Sequence, residues 1–506
     1  MLLEILINPW AFLVLPVLFY LIPYLRNASL RDIPGPILAR LTNLWYMYEC
    51  RRCRRYLTVH ELHEVHGKFV RITPDQVSIA DPEAIPIVYG HGTGTLKSEY
   101  YDAFVSIERG LFNTRDRAQH TRKRKTVSHT FSAKSIGQFE QYIQENLRQL
   151  VKQWDSLSSK ADGSYAKFDA LHWFNYVAFD IIGDLAFGAP FGMLERGADL
   201  AEVQLTPGGL STFAPAIEVL NRRGEVSNTV GCMPSIKPYA KYLPDPFFSK
   251  GMEAVKTLAG IATARVNARL AAAEKGEVQR VDLLARLMEG RDENGEKLGR
   301  AELTAEALTQ LIAGSDTTSN TSCALLFHCL QNPKVVKRLQ AELDEAIPDG
   351  NVPRFEQVRH LKYLDMVINE TLRIHCTSSQ GLPRLVPPGD GIDVVGRHFP
   401  PGTVLSVPAY SMHHSKEVWG ADADVFRPER WENVSERQIS AFIPFSYGPR
   451  ACVGRNVAEM ELALIIATVF RRYEFELHQD ELKTREGFLR KPLGLQVGMR
   501  KRAGVS

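Results

Sequence analysis

The chain has 506 residues, of which 44% are hydrophobic and 24% charged, so a large folded core is expected and intrinsic disorder or a disulfide miniprotein is excluded. Lys plus Arg number 61 against 58 Asp plus Glu; a net charge of +3 provides no global basic field for nucleic acid. Seven scattered cysteines, an odd number in a long chain, point to a reducing compartment.

In chain order, the first feature is an uncharged, apolar stretch between Glu4 and Arg26. As a helix it would span about 30 Å, one hydrocarbon core, with kinks at Pro9, Pro16 and Pro23. A single N-terminal transmembrane helix is expected over Ile5–Leu25, residues 1–32 forming the anchor and its flank, the alternative being a cleaved signal peptide. Arg26 and Arg31 follow the stretch and place the body of the protein on the cytosolic side. Ile33-Pro-Gly-Pro36 forms a stiff elbow before a globular unit over residues 33–506.

The body reads as mainly helical with small β-sheets. Val70–Thr73 and Val77–Ala80 predict one hairpin, Ile392–Val395 and Val404–Val407 another. Helical periodicity covers Asp116–His129, Phe139–Trp154, Met252–Leu270, Ala301–Gln331 and Ala458–Phe470. In the fourth of these, Ala313-Gly-Ser-Asp-Thr-Thr-Ser319 predicts a bend at a functional position. His60, His63 and His66 read as a solvated helix face, Gly90-His-Gly-Thr-Gly94 as a loop over substrate without a dinucleotide fold, and Cys50-x-x-Cys53 as incidental.

The chemistry concentrates in Phe445-Ser-Tyr-Gly-Pro-Arg-Ala-Cys-Val-Gly454, which leads into a helix. Amides and dipole at that helix entrance favour a thiolate at Cys452, the form that ligates iron. Gly448 and Gly454 permit close approach of a flat cofactor, Phe445 packs beside the sulfur, and Arg450 neutralises a cofactor carboxylate.

This segment resembles the cytochrome P-450 haem-thiolate family at every fixed position of Phe-x-x-Gly-x-Arg-x-Cys-x-Gly. The resemblance implies the cytochrome P-450 fold, haem b ligated by Cys452, and a structural cage of Glu370, Arg373 and Arg430 beneath it. It implies that Asp316 and Thr317 hold water and relay the protons that O–O cleavage consumes. His120 and Arg124, four apart where Trp-x-x-x-Arg is commoner, become propionate contacts, as do Arg384 and Arg450. It also implies dioxygen as co-substrate and electrons from NADPH through a separate reductase, with cytochrome b5 as a possible helper, at the endoplasmic reticulum membrane. The run Arg122-Lys-Arg-Lys125 is expected to be either a solvated face or a docking surface for that acidic donor.

Within the family, Tyr101–Ile107, Gly110–Asp116, Phe187–Gly192 and Ala305–Ile312 resemble the fungal branch that hydroxylates benzoate at the para carbon. The expected substrate is a small aromatic acid. Lys97, Ser98, Tyr100 and Arg109 are candidate carboxylate anchors. The alternatives are oxidation of a related phenol, cresol or methoxybenzoate, a haem-thiolate isomerase or dehydratase needing no reductase, and a non-catalytic haem carrier or sensor.

Overall fold

The computed structural model describes residues 21–503 except residues 23, 207, 277–279, 281 and 293. Most of the apolar N-terminal stretch therefore lies outside the described residues. Among the described residues no helix is long and apolar enough to cross a membrane.

The fold is mainly helical. Its principal helices are α1 (Arg55–His66), α2 (Arg117–Ser128), α3 (Glu140–Lys160), α4 (Ala170–Phe187), α5 (Ala216–Gly231), α6 (Pro246–Glu274), α7 (Arg300–Leu330), α8 (Lys362–Ile374) and α9 (Arg455–Arg472). Local chemistry sets several boundaries. The Asp116 carboxylate accepts from the Gln119 amide and starts α2, the Asp169 carboxylate accepts from the Leu171 amide and starts α4, and Gly188 at φ +85° ends α4 in the left-handed conformation.

Helix α4 is apolar on nearly every face and is correspondingly buried. It lies against α7, which at 31 residues is about 46 Å long. Their close approach depends on Gly314: a Cβ there would stand 2.7 Å from Ile182 Cδ1 and 2.8 Å from its Cγ1. Together with α3, α8 and α9 these helices enclose the main hydrophobic core.

Residues 313–319 do not break the helix: α7 is continuous from Arg300 to Leu330. Its hydroxyls turn back onto the helix and donate to carbonyls four residues earlier without interrupting it: Ser315 to Leu311 at 2.7 Å, Thr317 to Ala313 at 2.6 Å and Thr321 to Thr317 at 2.8 Å.

A five-stranded sheet runs β1 (Phe69–Arg71), β2 (Gln76–Ile79), β5 (Val404–Ser406), β4 (Arg384–Leu385), β3 (Leu96–Lys97). The β1–β2 hairpin forms as expected. The second predicted hairpin does not. Ile392–Val394 pairs instead with Arg397–Phe399, because Val395 (φ +49°) and Gly396 (φ +75°) close a two-residue turn. Val404–Ser406 is thereby left to pair parallel with β2 and antiparallel with β4.

Candidate active site

Two interior surfaces are left uncovered by protein. In the middle of α7, Ala313 is exposed and Gln310 and Thr317 are half-buried, one stripe at helical spacing beside the buried Leu311, Ser315 and Asp316. The second is Cys452 in the loop before α9, the one exposed cysteine of seven.

Protein contacts hold the cysteine loop in shape. The Cys452 amide donates to Phe445 O at 2.9 Å. Gly448, at φ +70°, packs so closely that a Cβ would fall 2.0 Å from Tyr89 O. This protein contact accounts for the glycine, whereas a Cβ on Gly454 would meet nothing nearer than 3.9 Å. Ser446 adopts φ +60°, strained for a residue with a side chain, and the Arg455 guanidinium stands 5.5 Å from the Phe445 ring centroid.

Although its surface is accessible, Cys452 is crowded by protein atoms, and burial pushes its thiol up from the ordinary value. The Gly454 amide, Arg124 and Arg455 oppose that shift without reversing it. The local dipole alone therefore does not make the thiolate; a metal ion would, since coordination displaces the proton outright.

Beside this loop a cluster of cations gathers. Lys97 on β3 lies directly opposite Arg384 on β4, like charges in register across two strands. Lys97 Nζ donates to Phe112 O, and Arg384 Nη1 donates to the Tyr101 hydroxyl at 2.9 Å while its Nη2 is buried without a partner. Arg450 donates to Thr114 O at 2.7 Å and Arg124 to Ala451 O at 2.6 Å. Among the described residues none of these four cations makes an ion pair with a carboxylate.

The consequences are electrostatic. Burial, then Arg384 and Arg450, hold Lys97 well below its ordinary value. Burial followed by Arg450, Lys97, Arg124 and Arg384 pushes His120 down to about 3, and burial brings Arg450 to about 10. Like charges on buried Lys97 and Arg384 and half-buried Arg124 and Arg450, with an orphaned guanidinium nitrogen, fit a dianion such as the two carboxylates of a haem. A cavity of about 970 Å³ opens on the rim of this cluster, walled by Lys97, Leu385, Arg115, Gln119 and Glu302.

Asp316 is buried and forms an ion pair with Lys491, whose Nζ also donates to Asn221 Oδ1 on α5. Thr317 turns its hydroxyl proton toward Ala313 O, leaving its oxygen able to accept from water.

The buried trio of Glu370, Arg373 and Arg430 is fully connected. Glu370 Oε1 accepts from Arg373 Nη2 at 2.8 Å and Arg430 Nε at 2.9 Å, and Oε2 accepts from Arg373 Nε at 2.9 Å and Trp431 Nε1 at 3.0 Å. Arg373 continues to His413 O and Ala423 O.

Several expectations are corrected. The basic run on α2 is neither a solvated face nor a free docking surface: Arg122 and Lys123 pair with Glu302, Lys123 also with Glu306, and Arg124 turns to the cysteine loop, so only Lys125 is exposed. Among the proposed carboxylate anchors, Arg109 pairs with Asp102 at 2.8 Å, the Tyr100 hydroxyl donates to Asn228 Oδ1 at 2.6 Å, Ser98 is buried at the start of a short helical turn, and Lys97 belongs to the cation cluster. His63 bonds Gly67 O and Ser78 Oγ, and among the described residues no cluster of three or more His, Cys, Asp or Glu could hold a metal. Lys491 escaped sequence reasoning, since nothing local marks a lysine as the partner of an aspartate 175 positions earlier.

The chain is 62% identical over 498 residues to benzoate 4-monooxygenase bphA of Aspergillus niger, covering 97% of this chain and 96% of the relative. It is 30% identical over 480 residues to cytochrome P450 monooxygenase cicH of Emericella nidulans, with 92% of each chain covered. A family profile described as Cytochrome P450 matches residues 34–499. With a cysteine loop, an α7 stripe and a counter-ion-free cation cluster that fit haem, the chain belongs to the cytochrome P450 family.

Proposed function

We propose that this protein is a haem-thiolate monooxygenase that hydroxylates benzoate to 4-hydroxybenzoate. The substrate reading rests on 62% identity across nearly the whole chain to a benzoate 4-monooxygenase. In this reading Cys452 would hold the haem iron through its sulfur, and Lys97, His120, Arg124, Arg384 and Arg450 would hold the haem carboxylates. When bound, the haem supplies the activation of dioxygen by two electrons, with one oxygen atom passing to substrate and the other to water.

The protein's own residues manage protons and orientation. Asp316, steadied by Lys491, holds and passes protons at its carboxylate, and Thr317 Oγ1 accepts a hydrogen bond from a water on the accessible face of α7. Glu370, Arg373 and Arg430 keep the segment before the cysteine loop in place. Electrons come from NADPH through a separate reductase, with cytochrome b5 as a candidate second donor. Residues 1–32 anchor the enzyme to the endoplasmic reticulum with its catalytic body in the cytosol; the uncharged apolar run before Arg26 supports this.

The test is an optical titration of the ferric protein with benzoate, followed by product analysis with a reductase and NADPH. A saturable Soret shift and 4-hydroxybenzoate as product are expected. A haem spectrum indifferent to benzoate would sink the substrate reading, and turnover retained in Cys452→Ala would sink the thiolate.

A further inference from the structure

Arg223, on α5, is a buried cation without a counter-ion. It is 5% exposed, and among the described residues it forms no ion pair. Its Nη2 donates to Phe104 O at 3.0 Å, its Nε is buried with no partner, and its guanidinium stands 5.3 Å from the Phe104 ring centroid. One carbonyl and one aromatic face offset part of the cost of burying this guanidinium, but no carboxylate among the described residues balances its charge.

The ring beneath Arg223 is part of a wall. Phe104, Phe112 and Phe488 meet edge to face, with centroids 5.7 Å (Phe104–Phe112), 5.0 Å (Phe104–Phe488) and 5.1 Å (Phe112–Phe488) apart. Phe112 and Phe488 are only half-buried, so the wall retains uncovered aromatic surface. A cation stands beside two of these three mutually contacting rings. Beside Phe112, Lys97 Nζ lies 4.6 Å from the ring centroid and belongs to the propionate-facing cluster. Beside Phe104 stands Arg223.

We propose that Arg223 binds the substrate carboxylate, holding a flat aromatic acid whose ring lies along Phe104, Phe112 and Phe488. This deepens the reading of the protein as a benzoate hydroxylase and rests on it. The carboxylate goes to the guanidinium beside Phe104, and the substrate ring lies against the uncovered faces of Phe112 and Phe488. Burial lowers Arg223 only to about 10, so it stays charged at neutral pH. Competing cations are engaged: Arg109 by Asp102, Lys491 by Asp316, and Lys237 by the carbonyls of Asp102 and Val105.

The experiment compares benzoate with neutral benzamide, measuring the dissociation constants of the haem-loaded protein by calorimetry and Soret titration. Arg223→Gln is expected to weaken benzoate at least about tenfold, equivalent to about 1.4 kcal/mol, while benzamide changes by less than about threefold. Arg223→Lys should recover part of the benzoate affinity and serves as the readout should the glutamine variant fail to fold. Equal weakening of both ligands would make Arg223 a clamp on the Phe104 turn, and unchanged benzoate affinity would remove it from the site; either overturns the proposal. Absence of benzoate binding in the unaltered protein would overturn the substrate reading and this proposal with it.

Discussion

Glu461 on α9 shows how burial sets the chemistry of a single group. The residue is 3% exposed, and its carboxyl accepts from the Thr318 hydroxyl, 2.8 Å away on α7. Burial pushes its pKa up to about 7, the Thr318 bond opposing only in part. The folded state thus keeps the proton over a range in which the unfolded chain, titrating near 4.5, has released it. Stability is full below that lower value, falls as pH rises between the two, and is reduced by about 3 kcal/mol above pH 7. Glu461→Gln keeps an oxygen for Thr318 and removes the titration. It is expected to raise the melting temperature at pH 8 and leave it nearly unchanged at pH 4.5, as thermal denaturation at the two pH values would show. The residues most legible in the sequence were of another kind: the cysteine loop and Glu370-Thr-Leu-Arg373 are short-range patterns whose chemistry is written in adjacent positions. Arg223 and Lys491 were not legible, because their meaning lies in distant residues they meet or fail to meet.

At the scale of elements, periodicity located α2, α7 and α9 to within a few residues and found the cores of α3 and α6, whose observed ends lie further out. The failures have specific causes. Hydroxyl residues in α7 read as a weak point, yet buried from water their best acceptors are the carbonyls one turn back. The second hairpin was misassigned because a valine in the left-handed region is not foreseen from a residue type that disfavours it. Packing of α4 on α7 yields a direct test. Gly314→Val would drive a side chain into Ile182, costing about 1–3 kcal/mol by overpacking, more than the helix-propensity gain of a few tenths of a kcal/mol over glycine. Ile182→Ala in the same chain should recover part of the loss, measured by denaturant unfolding; additive effects would mean that the two side chains do not meet.

For the molecule as a whole, a net charge of +3 hides an uneven interior in which Lys97, Arg384, Arg450 and Arg124 converge without carboxylates. Composition could not reveal this, since the sheet register that sets Lys97 against Arg384 joins segments nearly 290 residues apart. The haem-free protein should bear the repulsion and the loaded protein should be relieved of it. Arg384→Met is therefore expected to raise the melting temperature of the haem-free form and lower that of the loaded form, by about 1 °C for each kcal/mol involved in a chain of this length. A shift of the same sign in both forms would mean that Arg384 acts only through packing.

The joint between α2 and the cysteine loop carries one more consequence. Arg450 reaches the carbonyls of Thr114 and Arg115, and Arg124 reaches that of Ala451, so each side grips the other through backbone oxygens. Carbonyls do not titrate and carry no net charge, so acid and moderate salt leave such a clasp closed. An enzyme molecule that has lost its prosthetic group would keep its receptacle in shape, ready to be refilled without refolding.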